Sequence, residues 1–131
     1  MILNCLTTAE FTLSHAHGFA DRGDLLNTIG CLTKIAFVLL QSLFALNVEY
    51  YFGDKGSLEA VDRFPIQPRS FSDRLRELLA MPMRTQLDLK FATRQIQTLW
   101  KETVGLAEGR YIPKFGLTEE APHTLFRNKL I

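Results

Sequence analysis

An apolar run with helical spacing constrains this chain most. From about Leu25 to about Tyr51, apolar side chains fall at positions 25, 29, 32, 36, 39, 43 and 46, the three/four interval that lines up one face of an α-helix. Within it, Ile35–Leu46 is interrupted only by Gln41 and Ser42. A helix that is hydrophobic all round is either enclosed by other elements or crosses a bilayer. This run is too short to span about 30 Å of hydrocarbon, and Lys34, Asn47 and Glu49 flank it closely. The pattern predicts the central helix of a soluble bundle, with no membrane partner. Gly30, inside that helix, costs some helix propensity and lets a neighbour approach closely.

The flanking segments read as shorter helices. Thr7 or Thr8 can cap a first helix with Glu10 in its first turn, and Phe11, Leu13, Ala16 and Phe19–Ala20 give it a loose apolar face. Gly23 reads as its stop and Asp24 as the N-cap of the central helix. Gly53-Asp54-Lys55-Gly56 breaks the central helix in a tight turn. Ser57 can cap a short helix through Phe64. Pro65 and Pro68 keep the next segment out of the helix, and Ser70 or Ser72 can cap another through about Ala80. A last long helix is expected from Met83 to about Glu108, with one face carrying positions 89, 92, 96, 99, 100, 103 and 107, all apolar but Thr103, and Gly109 fits its C-cap. Beyond Arg110, Pro113, Gly116 and Pro122 predict an irregular tail that packs through Tyr111, Ile112, Phe115 and Leu117. No strand pattern competes. The expectation is an all-α bundle of four or five mostly antiparallel helices in a single domain over 1–131, with an ordered core at about 7–109 and a tail at 110–131.

Of the 131 residues, 47% are hydrophobic and 22% charged, which excludes a disordered or low-complexity chain. The formal net charge is +1, too balanced for a dedicated nucleic-acid binder. Residues 1–62 carry three basic and seven acidic side chains, and residues 63–131 twelve and seven. Such a skew can mark a surface that meets an acidic partner; the preferred reading is two halves that complement each other when packed. Cys5 and Cys31 form no CxxC pair and fit reduced thiols in a cytoplasmic protein. Met1-Ile2-Leu3-Asn4 shows no basic start to a secretory leader.

Catalytic patterns are missing. His15 and His17 are two apart and fall on different helix faces. His17 and Asp21 can share a face, but two groups do not hold a metal. There is no GxSxG, GxxxxGK[ST] or GxGxxG run. Gly56-Ser57 is followed by Leu58-Glu59-Ala60-Val61-Asp62, not by the closely spaced carboxylates that hold two metal ions on a triphosphate. No catalytic residue, metal ligand or cofactor is assigned to this chain.

One polar cluster stands out. Asn47, Glu49, Tyr50, Tyr51, Asp54 and Lys55 gather where the apolar helix ends. Polar groups there must be solvated, paired or turned into a cleft. Asn47, Glu49, Tyr50 and Lys55 are the candidate substrate-binding residues: an amide with donors and an acceptor, a carboxylate, a ring with a hydroxyl, and a mobile cation. The alternative is a plain helix terminus. In that case Asn47 bonds neighbouring backbone, Tyr50 covers the core edge and Lys55 complements the helix dipole.

Gly30-Cys31-Leu32, Leu43-Phe44-Ala45-Leu46-Asn47, Tyr50 and Asp54-Lys55-Gly56 resemble the helical C-terminal domain of bacterial nucleotidyltransferases of the polymerase-β superfamily, over roughly Phe11 to Leu79. The resemblance implies a helical substrate-binding module packed against a separate catalytic domain or subunit, which would bring nucleotide and Mg²⁺. Related helical partners include ribonucleases with an Arg-x4–6-His motif, but no Arg lies five to seven residues before His15, His17 or His123. Two expectations follow. The chain is an accessory domain that positions an acceptor and shows an apolar patch to its catalytic partner, or it is a stand-alone interaction module that forms a homodimer along a long helix.

Overall fold

The computed structural model describes residues 2–53 and 55–107, with Gly109, Tyr111 and Pro113; of Leu3 only the backbone is described. These residues form five helices and no strand: α1 (Ile2–Asp21), α2 (Leu25–Leu46), α3 (Ser57–Val61), α4 (Phe71–Ala80) and α5 (Gln86–Leu106). The all-α expectation holds. Ile112, Phe115 and Leu117 of the expected tail lie outside the described residues.

Three long helices make the core. Leu6 and Leu13 of α1, Leu32, Ile35, Leu39 and Leu43 of α2, and Ile96, Leu99 and Trp100 of α5 are all buried in one cluster. The chain reverses between α1 and α2 in three residues. The Trp100 indole N–H donates to the Leu6 carbonyl at 3.4 Å, while Lys90 pairs with Asp21 at 3.8 Å, so α5 runs antiparallel to α1. Among the described helices α2 is long and apolar enough to cross a membrane, yet half of its apolar window is buried inside the bundle, as in a core helix. Short α4 lies on α5 through Leu75 and Leu78, pinned by a two-pronged bridge from Arg74 to Glu102 at 2.8 and 2.7 Å.

The caps differ from expectation in instructive ways. The α1/α2 turn forms as expected. Gly23 takes φ 70°, its N–H and that of Asp24 return to Ala20 and Phe19, and the Asp24 side chain accepts from the Asn27 N–H. This is a Schellman closure with a carboxylate N-cap behind it. The N-cap expected at Thr7 or Thr8 is wrong. Both residues lie inside α1, because Leu6 and Ala9 extend its buried face toward the N-terminus. Gly56, not Ser57, occupies the α3 N-cap, and the Ser70 side chain caps nothing. The last helix starts at Gln86 rather than Met83, because Thr85 and Asp88 form a capping box. Backbone N–H groups of Arg84 and Thr85 hold the Asp88 carboxyl below the usual carboxylate range.

Two buried polar side chains of α1 meet partners on α5 and in the segment just after it. Glu10, expected in a first turn, sits mid-helix and fully buried, and Tyr111 donates its hydroxyl to it. Buried His17 pairs through Nε2 with the Gln97 side chain. Leu6, Glu10, Leu13 and His17 share one helix stripe, so these polar groups stand in the same row as the core leucines.

Removing the Thr85 hydroxyl by Thr85→Ala should lower stability by about 1 kcal/mol, read as a shifted urea midpoint with an unchanged slope. Tyr111 gives a pH test. Burial, then the hydrogen bond and charge of Glu10, push its phenol well above its ordinary pKa. An unfolded phenol ionises near pH 10. Above that pH the unfolded chain has lost a proton that the folded chain keeps, so the Tyr111 contribution is complete below pH 10 and declines as pH rises. Tyr111→Phe should therefore cost about 1–2 kcal/mol at neutral pH, and the gap to the wild type should narrow in urea titrations above pH 10.

Candidate functional site at the end of the central helix

The candidate cluster is shaped by where α2 stops. Spacing alone carries the helix to about Tyr51, but it ends at Leu46. The Val48 N–H returns to Ala45 and the Glu49 N–H to Phe44, at 3.1 and 2.8 Å. Val48 sits at φ 55°, the left-handed position that a Schellman closure requires. Valine there is strained by its branched side chain, and with 92% of its surface exposed no packing of its own offsets the cost.

Two sets of contacts hold the reversal. Asn47 donates through Nδ2 to the carbonyls of Leu43 and Ile66 at 2.7 and 2.8 Å, and its Oδ1 accepts from the Ile66 N–H at 3.0 Å. One amide thus ties the end of α2 to the loop after α3. Phe44 is the second anchor. Tyr51, Phe52 and Phe64 meet its ring at centroid distances of 5.1, 5.7 and 4.9 Å, all steeply inclined, the edge-to-face geometry that aromatic quadrupoles favour.

Between these anchors lies an open depression of about 560 Å³, lined by Phe44, Phe52 and Phe64 with Tyr50, Glu49 and Arg63. Its size is that of a small-molecule site. Ring faces offer stacking, while the carboxylate and guanidinium of opposite charge can orient a polar ligand. Of the four sequence candidates, three meet here. Glu49 and Tyr50 are exposed on the lining. Asn47 also lines it, with its amide bonded to backbone. Lys55 is exposed in the turn before α3 and is not one of the lining residues; Asp54 lies outside the described residues. Sequence reasoning missed Arg63, Phe52 and Phe64. The signal for them was the aromatic density from Tyr50 to Phe64, which only the closure at Val48 folds back onto Phe44.

No group of three His, Cys, Asp or Glu able to hold a metal ion occurs among the described residues. Burial pushes the Cys5 and Cys31 thiols up, which keeps them protonated and poorly nucleophilic. What the lining residues offer a ligand is aromatic surface with one carboxylate and one guanidinium beside it. Compared with family models, curated proteins and solved structures, the chain matches none.

Asn47→Ala removes both bonds to Ile66, which water can replace at this exposed site, and should cost about 1 kcal/mol, with the Ile66 amide exchanging faster by NMR. Val48→Gly removes the strain and should raise stability by about 1 kcal/mol, seen as a higher urea midpoint.

Proposed function

We propose that this chain is a non-catalytic helical domain that positions the acceptor substrate of a nucleotidyltransferase, whose catalytic domain or subunit brings nucleotide and Mg²⁺. Holding two reactants in register lowers the barrier without any chemistry from the holder. One observation carries the reading: the motif residues Leu43–Asn47 and Tyr50 build a single local structure, with Phe44 as aromatic hub and Asn47 as clamp. The depression they frame opens beside Tyr50, Glu49 and Arg63. Glu49 and Arg63 would orient a polar acceptor, Tyr50 would stack on it, and Lys55 would reach the anionic nucleotide side from the adjoining turn. The setting is the bacterial cytoplasm, where Cys5 and Cys31 stay reduced.

The test starts from the gene neighbourhood. An adjoining reading frame with a Gly-Ser and Asp-x-Asp signature is co-expressed with this chain, and transfer from labelled ATP to cell-extract acceptors is followed. Transfer should require both chains. Tyr50→Ala should raise the acceptor KM at least about tenfold while the ATP KM stays put. Equal transfer by the catalytic chain alone, or transfer by this chain alone, overturns the reading.

A further inference from the structure

We infer that the N-terminal half of α2 is a self-association seam, and that a second copy of this chain docks on it antiparallel about a two-fold axis. The surface is separate from the depression at the other end of the helix. Leu26, Gly30, Thr33 and Phe37 are all exposed and follow one another at intervals of four, three and four, the spacing of a coiled-coil seam. Leu40 and Phe44 continue the same spacing and are buried. Phe44 is covered by the chain's own Tyr51, Phe52 and Phe64. The row is thus sheltered at one end and open at the other.

Three features point to a second copy as the cover. The first is Gly30. It sits mid-helix at a solvent-facing position, and a Cβ built on it meets no atom within 4 Å. Packing within the chain does not call for a glycine there, and glycine is a poor helix former. Closer approach from outside is what the missing Cβ permits. The second is self-complementarity. Reversing one copy against the other about an axis between Gly30 and Thr33 sets Gly30 opposite Thr33 and Leu26 opposite Phe37. Small residues then meet at the crossing, and large ones fill both flanks, as an isologous interface demands.

The third is area. Leu26 is 81% exposed, Ile29 38%, Phe37 36% and Phe11, on the neighbouring α1, 53%. At roughly 200 Å² for each fully exposed side chain, these fractions come to about 400 Å² of apolar surface. That is about the largest patch a monomer usually leaves bare. A stable interface takes about 800 Å² from each partner; the apolar surface supplies about half of that, and the exposed Gly30, Thr33, Lys34 and His15 add to it. Between α1 and α2 the face sinks into a groove of about 390 Å³ lined by Phe11, His15, Phe19, Gly30 and Lys34, which a flank residue of the second copy can enter.

Sedimentation of the full chain tests this. At about 100 µM the wild type should run at twice the monomer mass, with dissociation on dilution. Leu26→Glu and Gly30→Gln should each weaken the dimer at least about tenfold and leave helix content by circular dichroism unchanged, since both positions face solvent. Leu87→Glu, at a 73% exposed position on α5, should leave the dimer intact. A wild type that stays monomeric, or a dimer that both seam variants leave untouched, overturns the inference. So does a monomer whose Leu26→Glu variant loses only its complex with a nucleotidyltransferase catalytic chain, because the seam then belongs to that partner. The acceptor reading stands or falls separately, on the Tyr50→Ala effect.

Discussion

The architecture depends on covering α2. Its apolar side chains occupy more of the helix circumference than one neighbour can enclose, and hydrophobic surface left in water costs in proportion to its area. The chain answers this on several sides. α1 and α5 take the face carrying Leu32, Ile35, Leu39 and Leu43. The aromatic residues that follow fold back over Phe44. The remaining strip around Gly30 is the part we assign to a second copy.

That demand explains a costly stop. A helix that ran on to Tyr51 would carry Tyr51 and Phe52 away from Phe44 at 1.5 Å per residue. The Schellman closure that stops α2 at Leu46 puts one residue in the left-handed region, and that residue is Val48. The strain is of the order of 1–2 kcal/mol. Two Asn47 hydrogen bonds to Ile66 and three ring contacts on Phe44 form only when the reversal is made. The depression framed by Tyr50, Glu49 and Arg63 is a product of this closure, so a stability requirement and the candidate site share the same residues.

Comparing the two closures shows what the sequence could disclose. Gly23 and Val48 do the same job at the ends of α1 and α2. Gly23 followed by Asp24 is legible, because glycine favours the left-handed region and aspartate an N-cap. Val48 carries the opposite local preference, so periodicity extends α2 too far, and only contacts between residues up to twenty positions apart reverse it. The site was legible to the same degree. Its polar residues announce themselves by standing at the end of an apolar run. Arg63 and Phe64 do not, since their place beside Tyr50 depends on a turn that no local signal requires. Glu10 and His17 were misjudged for a related reason: a charged or polar residue in a leucine row reads as a break in the face until its partners, Tyr111 and Gln97, are seen across it.

Those buried polar pairs bear on how the bundle keeps one arrangement. Leucine rows on α1, α2 and α5 would slide past one another by a turn at modest cost, since dispersion and burial are not directional. A carboxylate and an imidazole in the same rows remove that freedom. A shift of α1 against α5 that parted His17 from Gln97, or against the segment after α5 that parted Glu10 from Tyr111, would break a buried hydrogen bond, which is costly in a low-dielectric interior. The register so fixed also sets the stagger of α2, which packs on both α1 and α5.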